Sequence, residues 1–159
     1  IDSLQQALTK HAAIACAKAR QQGSLCSTLI AFATNSPFDK QPRSFKVVKH
    51  FTPACNDTSV IIKAINDDIN ALFQPGIAYY KIGIGLVSLV SAQQQQLDLF
   101  NQNKHNPALM NVLDTINHKY GSNTLFHASQ GINPQWAMRR AFLSPQYTTN
   151  WQDIPLIQC

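Results

Sequence analysis

Residues 25–51 read LCSTLIAFATNSPFDKQPRSFKVVKHF, and this stretch decides the fold. Leu25 to Thr34 is dense in apolar and β-branched residues, which predicts a buried strand. Asn35 to Pro42 carries two prolines, a serine and an aspartate, the chemistry of a loop. Phe45 to Phe51 alternates apolar and polar residues, a second strand that Thr52-Pro53 is expected to stop. Two strands joined by a short loop form an antiparallel pair, and what flanks them sets the class.

Helical periodicity flanks the pair on both sides. Over residues 3–22, Leu4, Ala7, Leu8, His11, Ala15 and Ala19 fall on one side, with Asp2 or Ser3 as the cap and Gly23 as the stop. From about Thr58 to Phe73, capped by Asp57 or Thr58, the stripe is Ile61, Ala64, Ile65, Ile69, Leu72 and Phe73, and Pro75-Gly76 ends it. Tyr80, Ile82, Ile84 and Leu86 make a third strand with Gly83 and Gly85 on its other face. Helix, strand, strand, helix, strand is an α+β order one strand short of β-α-β-β-α-β, with two helices packed on one sheet face. The chain opens at Ile1 rather than Met, so it is expected to be a piece of a longer polypeptide whose missing strand precedes it.

Composition narrows the function. The 159 residues carry 13 Lys+Arg and 8 acids, a net charge of +5, with 45% hydrophobic residues. That excludes a disordered tail, and no apolar run reaches the ~18–20 residues needed to cross a bilayer. All eight acids are aspartates (2, 39, 57, 67, 68, 98, 114 and 153). Two-metal phosphoryl transfer needs several carboxylates converging on two ions. Asp67 and Asp68 are the only adjacent acids; neighbours on a helix diverge by about 100°, so they read as a solvated face. No catalytic or metal-binding residue is expected. Cys16, Cys26, Cys55 and Cys159 have neither metal-site spacing nor the setting of a disulfide scaffold, and are expected to be reduced thiols in a cytoplasmic protein. His11 reads as a packed core histidine, and Gly83-Ile-Gly85 lacks the remainder of a dinucleotide fingerprint.

Two features point to binding. Lys40, Arg43, Lys46 and Lys49 follow one another through the loop and second strand with no acid among them, and Lys81 stands beside Gly83 and Gly85. Such cations meet successive phosphates without reading bases, although edge lysines also serve simply to prevent sheet aggregation. By segment, residues 1–92 hold nine cations and five acids and residues 93–159 hold four and three, so most of the excess charge lies in the first.

The second feature is Gln96-Leu97-Asp98-Leu99-Phe100, set in the glutamine- and asparagine-rich stretch 93–106. A polar anchor with closely spaced large apolar side chains, isolated from any helix or strand pattern, suits a pocketed groove on a partner. Residues 107–159 then form a small, mostly helical module. Its helix has Asn106 as cap, Pro107 at the first position, Leu109, Val112, Leu113 and Ile116 as stripe and Gly121 past its end. Thr124 to Ala128 is expected to be a short strand.

The pentapeptide resembles the one by which bacterial polymerases and repair proteins bind the sliding clamp. Its setting resembles the C-terminal part of UmuC-type Y-family translesion polymerases. Thr34-Asn-Ser-Pro-Phe38, Met110-Asn-Val-Leu-Asp-Thr-Ile-Asn117, Thr124-Leu-Phe126, Gln130-Gly131, Trp136-Ala-Met-Arg-Arg140 and Leu143-Ser-Pro-Gln-Tyr-Thr-Thr149 match that family in order. Ser122, Gln146 and Asn150 stand where arginines are expected.

The resemblance implies a little-finger domain over 1–92, a clamp-binding linker over 93–106 and a C-terminal extension over 107–159. It implies contact with the template–primer duplex, docking on the β sliding clamp, work with a UmuD′-type dimer and RecA in the SOS response, and no membrane. Catalytic carboxylates and Mg2+ belong to a palm domain upstream of Ile1, with no cofactor in this part. Two rival readings are an RNA-recognition-type module for single-stranded nucleic acid and a protein-interaction scaffold without DNA affinity. The first needs the glycine- and aromatic-rich strand signature that Ser44 to Phe51 lacks.

Overall fold

Helix α1 (Asp2–Gln21) buries Leu4, Leu8, Ala12, Cys16 and Ala19, a run of i, i+4 and i, i+3 steps along one face. The stripe therefore passes through Ala12 and Cys16 rather than His11 and Ala15, which are only half-buried. No side chain caps its start; Asp2 instead sits in the first turn, where a negative charge complements the helix dipole. The helix ends as expected: Gly23 takes φ +64°, and its N–H returns to the Arg20 carbonyl at 2.9 Å. The computed structural model describes residues 1–94, 105–132, 136–137 and 144–155.

Three strands follow the expected antiparallel plan: β1 (Ser24–Thr34), β2 (Ser44–Cys55) and β3 (Lys81–Ser91), in the order β2-β1-β3. Central β1 pairs Phe32 with Lys46 on one side and with Gly83 on the other. One face of the sheet is covered by α1, α2 (Thr58–Asp67) and the short α3 (Ile69–Leu72). Leu29, Ala31 and Ala33 of β1 point into this core, flanked by Phe45, Val47 and Phe51 of β2 and by Ile82, Ile84 and Leu86 of β3. The structure is α+β, a sheet with its helices on a single face.

Three elements depart from expectation. Strand β2 runs through Thr52-Pro53 to Cys55, where the peptide bond is cis. It can do so because β2 is an edge strand, and the register shifts between Cys26 and Thr28, leaving extra residues on β2 around the proline. The second helix breaks at Asp68, whose φ/ψ of −113°/15° leaves the helical region and whose carboxylate meets Lys49 Nζ at 2.7 Å. Strand β3 extends to Ser91 because β1 offers it a pairing partner along its whole length, Thr34 with Lys81 through Ser24 with Ser91.

Leu29 lies at the centre of the core and is 1% exposed. Leu29→Ala leaves a cavity under the middle strand and is expected to cost about 3 kcal/mol, read as a lower denaturation midpoint with an unchanged slope.

Helix α4 (Pro107–Tyr120) begins as its sequence predicts, with Asn106 Oδ1 accepting from Leu109 N at 3.1 Å and Pro107 in its first turn. Its buried side chain is Met110, whereas Leu109 and Val112 of the expected stripe are exposed. No strand forms over 124–128. The Leu125 backbone is satisfied instead by the Asn117 side chain, which both donates to its carbonyl and accepts from its N–H at 2.9 Å.

Candidate nucleic-acid interface

A strand turns successive side chains to opposite faces, so the residues that leave the core on one side must line the other. The register assembles four cross-strand rows on the helix-free face. They are Ser44–Thr34–Lys81, Lys46–Phe32–Gly83, Val48–Ile30–Gly85 and His50–Thr28–Val87. Lys46, Val48, His50 and Lys81 are exposed, and Phe32, Ile30 and Thr28 are half-buried. None of these side chains is acidic.

Local contacts order the face. Lys81 Nζ stands 5.9 Å from the centre of the Phe32 ring, a cation–π distance. A Cβ on Gly83 would fall 2.8 Å from Phe32 Cζ, so the glycine is what lets the ring lie across β3. Gly85 has nothing within 4 Å of that position and leaves the backbone open. The expected approach to the backbone beside Lys81 is therefore open at Gly85 and filled by Phe32 at Gly83. Thr28 Oγ1 and His50 Nδ1 are hydrogen-bonded at 3.1 Å.

The expected row of cations divides. Lys46 and Lys49 are three residues apart on one strand and so face opposite ways. Lys49 pairs with Leu29 in the register, on the helical side, where Asp68 takes its charge. Lys46 and Lys81, on two different strands, emerge on the helix-free face, where only the register brings them together. Arg43 lies in the loop with its guanidinium on Gln74 Oε1 at 2.7 Å and Gln41 Oε1 at 3.0 Å, and Lys40 is exposed in the same loop. Asp67 is exposed as expected, whereas Asp68 is engaged with Lys49.

The pentapeptide Gln96 to Phe100 and Arg139-Arg140 lie outside the described residues. What flanks the pentapeptide is described. Ala92 N donates to the Gly23 carbonyl at 2.8 Å, and Asn106 N donates to Asp57 Oδ2 at 2.9 Å. Asp57 Oδ1 meanwhile caps α2 through Ser59 N at 2.8 Å, so one carboxylate serves both the sheet domain and the start of α4.

The two halves of the chain interlock at Arg20, which the sequence does not flag. Its guanidinium grips Asp114 of α4 at 2.6 and 2.7 Å, while Nη1 donates to the Asn56 carbonyl at 2.8 Å and Thr58 Oγ1 at 2.9 Å. The fork geometry of arginine matches a carboxylate bidentately, and here its donors join three segments. Removing it as Arg20→Ala strands these acceptors at a partly buried site. We expect a loss of about 2 kcal/mol and faster proteolysis within residues 105–159.

His11 lies against Trp136 with ring centres 6.1 Å apart and planes tilted by 53°, and burial together with nearby Lys10 lowers its pKa. Burial also lowers that of His127, reinforced by Arg20 and opposed by Asp57. Folded-state values below the ordinary 6.5 mean that the unfolded chain binds more protons. Stability is then complete above that pH and should fall as acid is added below it, measurable by denaturation at pH 7.5 and 5.5. Burial pushes the Cys16 and Cys55 thiols up to about 12 and Cys26 to about 11, which makes them packing groups rather than nucleophiles. Among the described residues, no group of three or more His, Cys or Asp is placed to hold a metal ion. No helix there is long and apolar enough to cross a membrane.

An antiparallel sheet backed by helices on one face and cationic on the other, joined to a small helical extension, has the build of a little-finger-like domain. The chain belongs to the impB/mucB/samB family: the family's C-terminal domain matches residues 1–99. A domain of unknown function (DUF4113) matches residues 107–157. The chain is 37% identical to protein MucB of Salmonella typhimurium, over 98% of this chain and 38% of that protein. It is 35% identical to protein UmuC of Salmonella typhimurium strain LT2, over 96% and 37%, and 34% identical to protein SamB of the same species, over 97% and 37%. It thus spans less than two fifths of the length of these relatives. No solved structure matches it.

Proposed function

We propose that this chain is the non-catalytic C-terminal portion of an error-prone translesion DNA polymerase, which holds duplex DNA by its backbone and docks on a bacterial sliding clamp during the SOS response. The observation that carries the DNA half is the helix-free sheet face: Lys46 and Lys81 exposed in adjacent rows, the hydroxyls of Ser44 and Thr34 in the Lys81 row and of Thr28 at the far end, and no acid in the four rows. Such a surface attracts phosphates without selecting a sequence, which suits an enzyme that must accept any template. Lys40 and Arg43 of the adjoining loop are proposed to add phosphate contacts, although Arg43 rests its guanidinium on Gln74 rather than on this face.

The clamp half rests on Gln96, Leu97, Asp98, Leu99 and Phe100. The proposal pairs the polar side chain of Gln96 with a polar pocket on the clamp and the apolar side chains of Leu97, Leu99 and Phe100 with an apolar one. Two modest interactions on one chain reinforce each other through effective concentration. Polymerase chemistry, with its carboxylates and Mg2+, belongs to the remainder of the polypeptide, and the family likeness suggests a UmuD′-type dimer and RecA as further partners, in the cytoplasm. The test is binding of a labelled primer–template duplex at several salt concentrations. A steep, sequence-independent salt dependence supports the reading and a flat one overturns it.

A further inference from the structure

Phe38 is 96% exposed at the tip of the loop between β1 and β2. A whole phenyl ring in water is unfavourable, and loops that present one loosely let it fold back onto nearby apolar surface. This loop holds its ring out by its own hydrogen bonds. At its base, Asn35 Oδ1 accepts from Arg43 N at 2.6 Å and Asn35 Nδ2 donates to the Gln41 carbonyl at 2.9 Å. At its tip, Ser36 Oγ accepts from Phe38 N and the Ser36 carbonyl from Asp39 N, both at 3.2 Å. Pro37 restricts the backbone between them. The ring is therefore presented by a closed, braced turn.

The surroundings identify what it meets. Asp39 and Lys40, both exposed, follow it, and the loop leaves the sheet at the Ser44–Thr34–Lys81 row, the Lys81 end of the acid-free face. An aromatic ring among phosphate-binding cations is the arrangement by which single strands are held: the cations take the backbone and the ring takes the face of a base. Insertion between paired bases carries an unstacking cost that an unpaired base does not. We infer that Phe38 stacks on an unpaired nucleobase where single-stranded template leaves the duplex held on the sheet. This rests on the DNA-binding reading above and adds to it a preference for a strand junction.

The experiment compares wild type, Phe38→Ala and Phe38→Trp on a blunt duplex and on the same duplex carrying a single-stranded 5′ overhang. Because the side chain is exposed, the melting temperatures of all three should agree, which separates binding from folding. The inference expects Phe38→Ala to lose about 5- to 100-fold in affinity for the overhang substrate and little for the blunt one, with an unchanged salt slope. Phe38→Trp should keep the affinity and show DNA-dependent quenching beyond that of wild type, whose Trp136 and Trp151 supply the background. Equal losses on both substrates, or none on either, overturn the stacking role while the DNA-binding reading stands. Failure of wild type to bind either substrate overturns both.

Discussion

Replacing Leu99 and Phe100 together with alanine is expected to abolish binding to purified sliding clamp, a loss of at least about 100-fold, while leaving the fold intact. Residues 96–100 hold a glutamine and three large apolar side chains within five positions, between stretches of glutamine and asparagine. In a peptide this short, affinity concentrates in the anchors that fill apolar pockets, and each truncation commonly costs 2 kcal/mol or more. Among the described residues the first domain has its own buried core, with Leu29, Ile61, Ile65 and Leu72 each at most 1% exposed. The melting temperature should therefore stay at its wild-type value. Affinity is best read by surface plasmon resonance at two salt concentrations, because apolar anchoring predicts little salt dependence and DNA binding a steep one. A double variant that binds clamp as wild type does would remove this half of the proposal.

The second large effect concerns DNA. Lys46→Ala combined with Lys81→Ala should weaken duplex binding at every sequence and lower the slope of log K against log salt by about 2, near 0.9 for each lost phosphate contact. Lys49→Ala is the informative control. Its side chain faces the helices and pairs with Asp68 at 2.7 Å, so DNA affinity should stay near wild type while stability falls by no more than about 1 kcal/mol. A sequence reading that places all strand lysines on one surface predicts the reverse, with Lys49→Ala as damaging as Lys46→Ala. Fluorescence anisotropy across a salt series distinguishes the two outcomes.

Much of the fold was legible in the residues because local patterns agree with the global plan. The i, i+4 spacing of Leu4 and Leu8, Asp57 before an apolar run and Asn106-Pro107 at a helix start all specify elements through nearest-neighbour geometry. Boundaries were missed where a distant partner overrides the local signal. Pro53 should end a strand, yet β2 continues past it because the neighbouring strand β1 leaves it at an edge. The second helix should reach Phe73, yet Asp68 breaks it where its carboxylate meets Lys49 of β2. The stretch 124–128 forms no strand, and the Leu125 backbone bonds instead to one amide side chain, Asn117.

The sequence by itself determined the class of the chain, the cationic character of its first part and the presence of the pentapeptide Gln96-Leu97-Asp98-Leu99-Phe100 proposed to bind the clamp. Each of these is a property of composition or of short spacing. Tertiary structure decided which cations share a surface, because pairing register sets the face on which a strand side chain emerges, and three-residue spacing on one strand divides what cross-strand pairing unites. It also decided that Arg20, an ordinary basic residue near a helix end, ties the extension to the sheet domain. That tie joins positions 20, 56, 58 and 114, and no local pattern connects residues so far apart in the chain.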